Sequence, residues 1–367
     1  MTSAGLPRDA LIARDHATTA IATVTPGCQF ASDNTAGLCP EAWDAVQRAG
    51  EGCVASYGDD PWTARACALI RELFECDADV FFVFNGTAAN SLALASMCQS
   101  YHAILCHELA HVETDECGAP EFFSNGTKVL LAGGVDAKLT PEAVHEAATR
   151  RRDIHYPKPR VVSITQATEL STVYSPEEVG RLSEACRSRG LGLHMDGARF
   201  ANAIAALGLS PRQVTWEAGV DVLCFGGTKN GVGFGEAVVF FRRSLAEEFA
   251  YRCKPAGQLA SKMRFLSAPW VGVLQDGVWL RHAEHANRSA ERLERQLASI
   301  PGVEGIGRRQ ANAIFVRLPP GVADMVRQRG WRFYDFIGAG GCRLMCSWAT
   351  TDADIDALVA DIRGAVG

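Results

Sequence analysis

Phe225-Gly226-Gly227-Thr228-Lys229-Asn230 follows directly on the apolar run Val220-Asp221-Val222-Leu223-Cys224. Upstream, His194-Met195-Asp196-Gly197-Ala198-Arg199 closes a second apolar, strand-like run, and a helical stretch lies between the two. Strand, helix and strand in that order make one crossover unit. Such a unit sets two parallel strands with their C-terminal ends at the same edge of a sheet. Lys229 and Asp196 are therefore expected to emerge together at the edge where open α/β sheets bind ligands.

Outward from this unit the alternation continues. Apolar runs at 80–84, 103–106, 128–132, 160–165, 192–196 and 221–225 read as strands. The stretches 87–98, 141–152, 176–190 and 198–207 read as helices, and 236–242 reads as a strand pairing against the sheet. Strands alternating with helices predict a doubly wound, mostly parallel α/β sheet. Pro40 opens an earlier helix, and Tyr57-Gly58-Asp59-Asp60-Pro61 reads as a turn that caps the next one. Beyond 243 the pattern changes to long helical stretches through 300. A smaller α+β unit follows, with strands at 313–318 and 342–345 and a closing helix at 352–366. The expected organisation is an N-terminal arm at 1–30, a large domain at 31–255, and a helical crossover with a small C-terminal α+β domain at 256–367.

Bulk properties bound the function. The chain has 367 residues, a formal net charge of −6, 47% hydrophobic and 21% charged residues, an ordinary globular balance with ample core. The acidic balance argues against a nucleic-acid binder. No apolar stretch reaches membrane-spanning length. The first thirty residues lack the pattern of a signal peptide. Thirteen cysteines without C-x-x-C pairs are expected to be reduced, mostly buried thiols in a cytoplasmic protein.

A lysine and an aspartate at one sheet edge suggest a pyridoxal phosphate (PLP) site. The lysine would form a Schiff base with the aldehyde, and the aspartate would keep the pyridine nitrogen protonated. Lys229 also admits a plainer reading as an exposed surface lysine. A phosphate-loop reading fails, because Thr228 precedes it and Asn230 follows it. A carboxylate ending an apolar strand is costly to bury without a partner, which a cationic ring nitrogen would be; a hydrogen bond to the following turn is the alternative for Asp196. Arg199, expected one turn along the helix that follows, suits a bidentate contact to a substrate carboxylate or an ordinary ion pair. Asn85-Gly86-Thr87-Ala88-Ala89-Asn90 stands between a strand and a helix, where free N–H groups and the helix dipole favour a phosphate; a simple N-cap by Thr87 is the alternative. His107-Glu108-Leu109-Ala110-His111 matches the zinc-peptidase pattern H-E-x-x-H, with Glu108 as base. Its context differs, because a strand ends just before it. In the PLP reading His111 lays its ring over the pyridine face.

Taken together, these motifs resemble the L-threonine aldolases, fold-type I PLP enzymes, over nearly the whole chain after the arm. The resemblance rests on Ser32-Asp33, Tyr57-Gly58-Asp59-Asp60-Pro61, Gly86-Thr87-Ala88-Ala89-Asn90, Ala110-His111, the run from His194 to Arg199, and Lys229. The wording of 258–270 is similar to the bacterial low-specificity branch, which includes phenylserine aldolases. The resemblance implies Lys229 as the Schiff-base lysine, Asp196 as the pyridine-nitrogen partner and His111 as the stacking histidine. It implies Gly86 and Thr87 as the phosphate cup, and Ser32, Arg199 and Arg343 as the carboxylate clamp. Tyr57 and Arg264 are expected to reach a neighbouring subunit's site, Arg264 toward the cofactor and Tyr57 toward the substrate. That makes a homodimer the minimum and a homotetramer the usual assembly. Some relatives carry a second histidine after the strand at 161–165; here the loop reads Gln166-Ala167-Thr168-Glu169, and His111 becomes the candidate base. The implied reaction is retro-aldol cleavage of a β-hydroxy-α-amino acid (L-threonine, L-allo-threonine or phenylserine) to glycine and an aldehyde, with no metal. Another PLP-dependent lyase or transaminase of the same fold, a zinc hydrolase using His107, Glu108 and His111, and a catalytically silent binding protein remain as alternatives.

Overall fold

Seven strands form the main sheet: β1 (Asp79–Val83), β2 (His102–His107), β3 (Lys128–Ala132), β4 (Lys158–Thr165), β5 (Gly192–Gly197), β6 (Val222–Phe225) and β7 (Glu236–Phe240). They are ordered β1-β7-β6-β5-β4-β2-β3 in a computed structural model that describes residues 29–336 and 341–367. Strands β2 to β6 run parallel, and β7 lies antiparallel to both β1 and β6. Parallel strands carry helices on both faces and so are apolar along their length; every residue of β2, β5 and β6 is buried. The register aligns Thr165 with Asp196 and Asp196 with Cys224. The ends of β4, β5 and β6 thus share one edge, and the polar residues after them are neighbours.

Local chemistry sets most helix starts. Pro40 opens the helix Pro40–Ala49 behind a Cys39 cap. Asp60 caps Pro61–Phe74 by accepting the N–H of Thr63. Three expected helices are shorter than their apolar pattern: they end at Thr149 and Arg187, and the one expected from 198 begins at Phe200. The last difference has a clear cause. Asp196 Oδ1 accepts the N–H of Ala198 at 2.9 Å, and that turn leaves Arg199 non-helical at φ −125°. Arg199 therefore precedes the helix rather than lying one turn along its face.

A second, antiparallel sheet is ordered β10-β11-β9-β8, from β8 (Glu304–Gly305), β9 (Ala313–Arg317), β10 (Tyr334–Asp335) and β11 (Gly341–Met345). Helices Val278–Leu297 and Asp352–Val366 pack on it through Leu293, Leu297, Ile355 and Leu358 against Ile314, Val316 and Leu344. The expected arm lies outside the described residues except at its end. There Gln29 bridges Arg332, and buried Phe30 exchanges backbone hydrogen bonds with Arg332 and Met345. Residues 29 and 30 therefore belong to the second sheet's packing.

An aromatic cluster fixes the end of β6. Phe225 packs against Trp270 at 4.9 Å between ring centroids, Phe200 at 5.5 Å and Phe74 at 5.8 Å. It is 1% exposed and immediately precedes the Lys229 loop. Phe225→Ala is expected to cost about 3–5 kcal/mol of unfolding free energy, read as a lowered urea midpoint, and to weaken activity through the displaced loop.

Candidate active site

Lys229 sits on a single 3-10 turn, Thr228–Asn230, just past the end of β6. Two cavities meet there and share Asn34, His111 and Lys229. The inner one, about 270 Å³, is walled by Gly86, Thr87, Asn90, Asp196 and Glu236. The outer one, about 870 Å³, is walled by Ser32, Glu169, Arg199, Tyr334 and Arg343. Enclosure lowers the Lys229 ammonium below its usual range, and the Arg199 cation adds to the effect. A lysine so placed has more of the neutral, nucleophilic amine.

The glycines around Lys229 answer to packing. A Cβ on Gly226 would stand 2.5 Å from the Ala198 carbonyl oxygen, and one on Gly227 would stand 2.5 Å from the Trp270 indole. The Gly227 N–H donates to Glu236 Oε2 at 2.6 Å. Glu236 is buried at the start of β7, and its burial raises its carboxyl above the usual range. Behind the same turn, Cys39 donates its N–H to the Gly231 carbonyl, and His282 Nδ1 lies 3.4 Å from the Asn230 carbonyl.

A chain of hydrogen bonds runs along the inner wall. Asn90 Nδ2 donates to Asp196 Oδ2 and to Glu116 Oε1, each at 2.9 Å, and Glu116 Oε1 lies 2.9 Å from His111 Nδ1. The Glu116 contact raises the His111 pKa, and burial raises that of Glu116. The two groups are joined through one proton between Nδ1 and Oε1. The His111 ring stays 40% exposed, facing both cavities.

In the outer cavity the arginines divide their work. Arg199 donates Nε and Nη2 to the two oxygens of Asp33, each at 2.8 Å. Burial alone would raise the Asp33 carboxyl, but Arg199 holds it below the usual carboxylate range. The bidentate contact expected between Arg199 and a substrate is thus made to Asp33, and among the described residues Nη1 of Arg199 makes no hydrogen bond. Arg343, on β11, donates Nη2 to the Ala31 carbonyl at 3.1 Å and lies over the Tyr334 and Phe336 rings. Its Nε is enclosed and without a partner among the described residues. Ser32 caps the turn Asp33–Thr35 beside them.

These residues fit PLP. Asp196 keeps lone pairs beyond those used by Asn90 and Ala198, enough for a ring N–H. Helix Gly86–Met97 points its start into the inner cavity. Asn85, rather than Thr87, caps it by accepting the Ala88 N–H, so the Gly86 and Thr87 N–H groups have no intrahelical partner. A Cβ on Gly86 would touch nothing within 4 Å, which leaves room for a phosphate beside it.

The family model described as beta-eliminating lyase matches residues 29–319. The low specificity L-threonine aldolase of Pseudomonas sp. (strain NCIMB 10558) is 62% identical over 91% of this chain and 97% of its own length. The chain belongs to the threonine aldolases of the beta-eliminating lyase family. A second relative of the same description, from Pseudomonas aeruginosa, is 61% identical over 92% of this chain and 98% of its own. The structure of a Leishmania major threonine aldolase superposes with a TM-score of 0.87 at 29% identity, over 92% of this chain and 99% of that one. The doubly wound, mostly parallel sheet expected from sequence is the fold this threonine aldolase family member has.

One expectation is placed differently by the structure. The H-E-x-x-H stretch is not helical: His107 ends β2, a turn follows, and His111 opens the short helix His111–Thr114. His107 Nδ1 accepts the Leu109 N–H, and Nε2 lies 3.2 Å from the Gly134 carbonyl. The two histidines therefore do not share a helical face, and the zinc-peptidase reading falls. Among the described residues, the group whose donors come within 4.8 Å of one another is Cys39, Glu41 and His282, behind the lysine turn. Tyr57 and Arg264 line neither cavity of their own chain. Tyr57 is exposed beneath Lys254, and Arg264 begins the helix Arg264–Leu274 with an unpartnered Nε.

Glu116, Glu169 and Glu236 were not singled out by sequence reading. The one available signal was a glutamate opening the apolar run Glu236-Ala237-Val238-Val239-Phe240. Removing Asp33 tests the arginine pair. Asp33→Ala leaves a guanidinium enclosed without its partner and should cost about 3–5 kcal/mol, read as a lowered melting temperature, with KM for the amino acid rising as Arg199 reorients.

Proposed function

We propose that this chain is a PLP-dependent aldolase that cleaves L-threonine, L-allo-threonine and, in the same manner, phenylserine to glycine and an aldehyde. The observation that carries this reading is Lys229 standing where an inner cavity walled by Asp196 and a helix start meets an outer one walled by two arginines. Bound in the inner cavity, PLP supplies an electron sink for the pair released when the Cα–Cβ bond breaks.

The residues divide the rest. Gly86 and Thr87 hold the phosphate with their N–H groups, Asp196 holds the ring nitrogen, and Lys229 supplies the amine that anchors the aldehyde. His111 covers the ring face and excludes water, its orientation fixed by Glu116. Arg343, Nη1 of Arg199 and Ser32 take the substrate carboxylate, so the substrate's orientation selects which Cα bond is aligned for cleavage. The positions of Tyr57 and Arg264 outside both cavities support their reaching a partner's site in a homodimer, with a homotetramer as the full assembly. No helix among the described residues is long and apolar enough to cross a membrane, and we place the enzyme in the cytoplasm.

The deciding experiment is a visible spectrum of the purified protein with PLP, before and after threonine and then borohydride. The reading expects a yellow band that shifts with threonine, cofactor fixed covalently to Lys229 by reduction, and glycine with acetaldehyde as products. A keto acid with ammonia would instead assign another lyase or a transaminase. Lys229→Ala should lose turnover and covalent fixation while keeping its melting temperature; near-normal turnover in that variant sinks the assignment.

A further inference from the structure

Retro-aldol cleavage requires a base for the β-hydroxyl proton, and His111 is poorly suited to be one. Its Nδ1 is committed to Glu116, and that contact shifts the ring toward its protonated form. The loop after β4 carries no histidine, but it does carry Glu169. Glu169 Oε1 accepts the backbone N–H of His111 at 3.1 Å and the Thr165 hydroxyl at 2.8 Å. Both bonds fall on one oxygen. The other, Oε2, is enclosed and has no hydrogen-bond partner among the described residues, although part of the residue remains open. Glu169 lines the outer cavity with Lys229, Arg199 and Arg343. An enclosed carboxylate oxygen left unbonded is costly, and a small turn of this carboxylate toward the cavity its residue lines would let a substrate hydroxyl there supply the missing donor.

We propose that Glu169 is the catalytic base that removes the β-hydroxyl proton of the substrate. This rests on the aldolase reading above. In cleavage the substrate's O–H bond breaks and its proton passes to Oε2. The electron pair left on oxygen becomes the second bond of the aldehyde carbonyl. The Cα–Cβ bond breaks, and its pair stays with Cα, which then takes up a proton to become the methylene of glycine. Glu169 returns its proton to solvent before the next turnover, or to the aldehyde oxygen in the reverse, C–C-forming direction.

The surroundings suit that role. Burial pushes the Glu169 carboxyl up to about 7, its own backbone N–H and the Thr165 and His111 donors pull the other way, and Asp196 adds repulsion. Arg199, Cys106 and Tyr174 are the further titratable groups facing it. A carboxylate base titrating there loses its function as pH falls through about 7, where a group so tuned works best.

The test compares two reactions of the PLP-loaded full chain. Threonine cleavage needs the hydroxyl proton removed; exchange of the glycine α-hydrogen in D2O, followed by proton NMR, does not. Glu169→Gln keeps an oxygen for His111 and Thr165. In this variant kcat for cleavage should fall at least ~100-fold, while glycine exchange stays within about threefold and so reports an intact site. The acidic limb near pH 7 should disappear from what cleavage remains. A readout independent of turnover accompanies these. A carboxyl whose folded pKa is raised gives stability that is present below its unfolded pKa and lost as pH rises through about 7. The melting temperature of Glu169→Gln relative to wild type should therefore climb across that window. Cleavage within about fivefold of wild type overturns the proposal, because a general base contributes far more than that. Cleavage and exchange falling together also overturns it, making Glu169 a positioning residue for His111. A wild-type chain that exchanges glycine but releases no aldehyde from threonine overturns the aldolase reading itself, and the role of Glu169 with it.

Discussion

Negative charge at the C-terminal edge of the main sheet is the constraint on which the site depends. Asp33, Glu116, Asp196 and Glu236 are all buried there, and Glu169 adds an enclosed oxygen. Lys229, Arg199 and His111 stand against them. Enclosure raises the carboxyls of Glu116, Glu169 and Glu236, whereas Arg199 holds that of Asp33 down. Buried acids that cannot all ionise together separate into proton holders and fixed anions, and that separation is what acid–base chemistry at neutral pH needs.

The same pairs join the two sheets. Asp33 takes Arg199 from the end of β5 and Asn312 from just before β9, while Arg199 Nη2 also lies 3.0 Å from Met345 Sδ on β11. One buried carboxylate therefore ties the end of β5 to the segment leading into β9, across from Lys229. The outer cavity is the gap so defined. Arg199 can be held in place without a rigid interface elsewhere, because an enclosed ion pair tolerates little displacement before its desolvation cost outweighs the attraction.

What could be read from sequence follows the range of the interactions. Lys229 and Asp196 were legible because each ends an apolar strand, and one crossover fixes their shared edge. Gly86 was legible as the start of a helix after a strand. The partners that tune these residues were not. Asn90 meets Asp196 across 106 positions, Glu169 meets His111 across 58, and Arg199 meets Asp33 across 166. Contacts at such separations leave no periodic trace, and a glutamate in a loop looks like any solvated glutamate. The reason for glycine at 226 and 227 is equally distant in sequence: the atoms a side chain would strike are those of Ala198 and Trp270. The H-E-x-x-H match shows the converse. Five letters imitate a helical zinc motif, but the strand pairing of His107 with Ala132 decides the backbone.

Several of the enclosed polar atoms without partners among the described residues stand at the two cavities. Glu116 Oε2 and Asn90 Oδ1 flank the inner wall, and Glu169 Oε2 and Arg343 Nε flank the outer one. Native interiors hold few such atoms because each costs stability, so several gathered around one lysine mark places where stability has been given up for contact with a ligand. Others, among them Ser91 Oγ, Glu121 Oε2, Asn312 Oδ1 and Arg264 Nε, face neither cavity. The atoms near Lys229 can be satisfied by what enters the cavities of one chain.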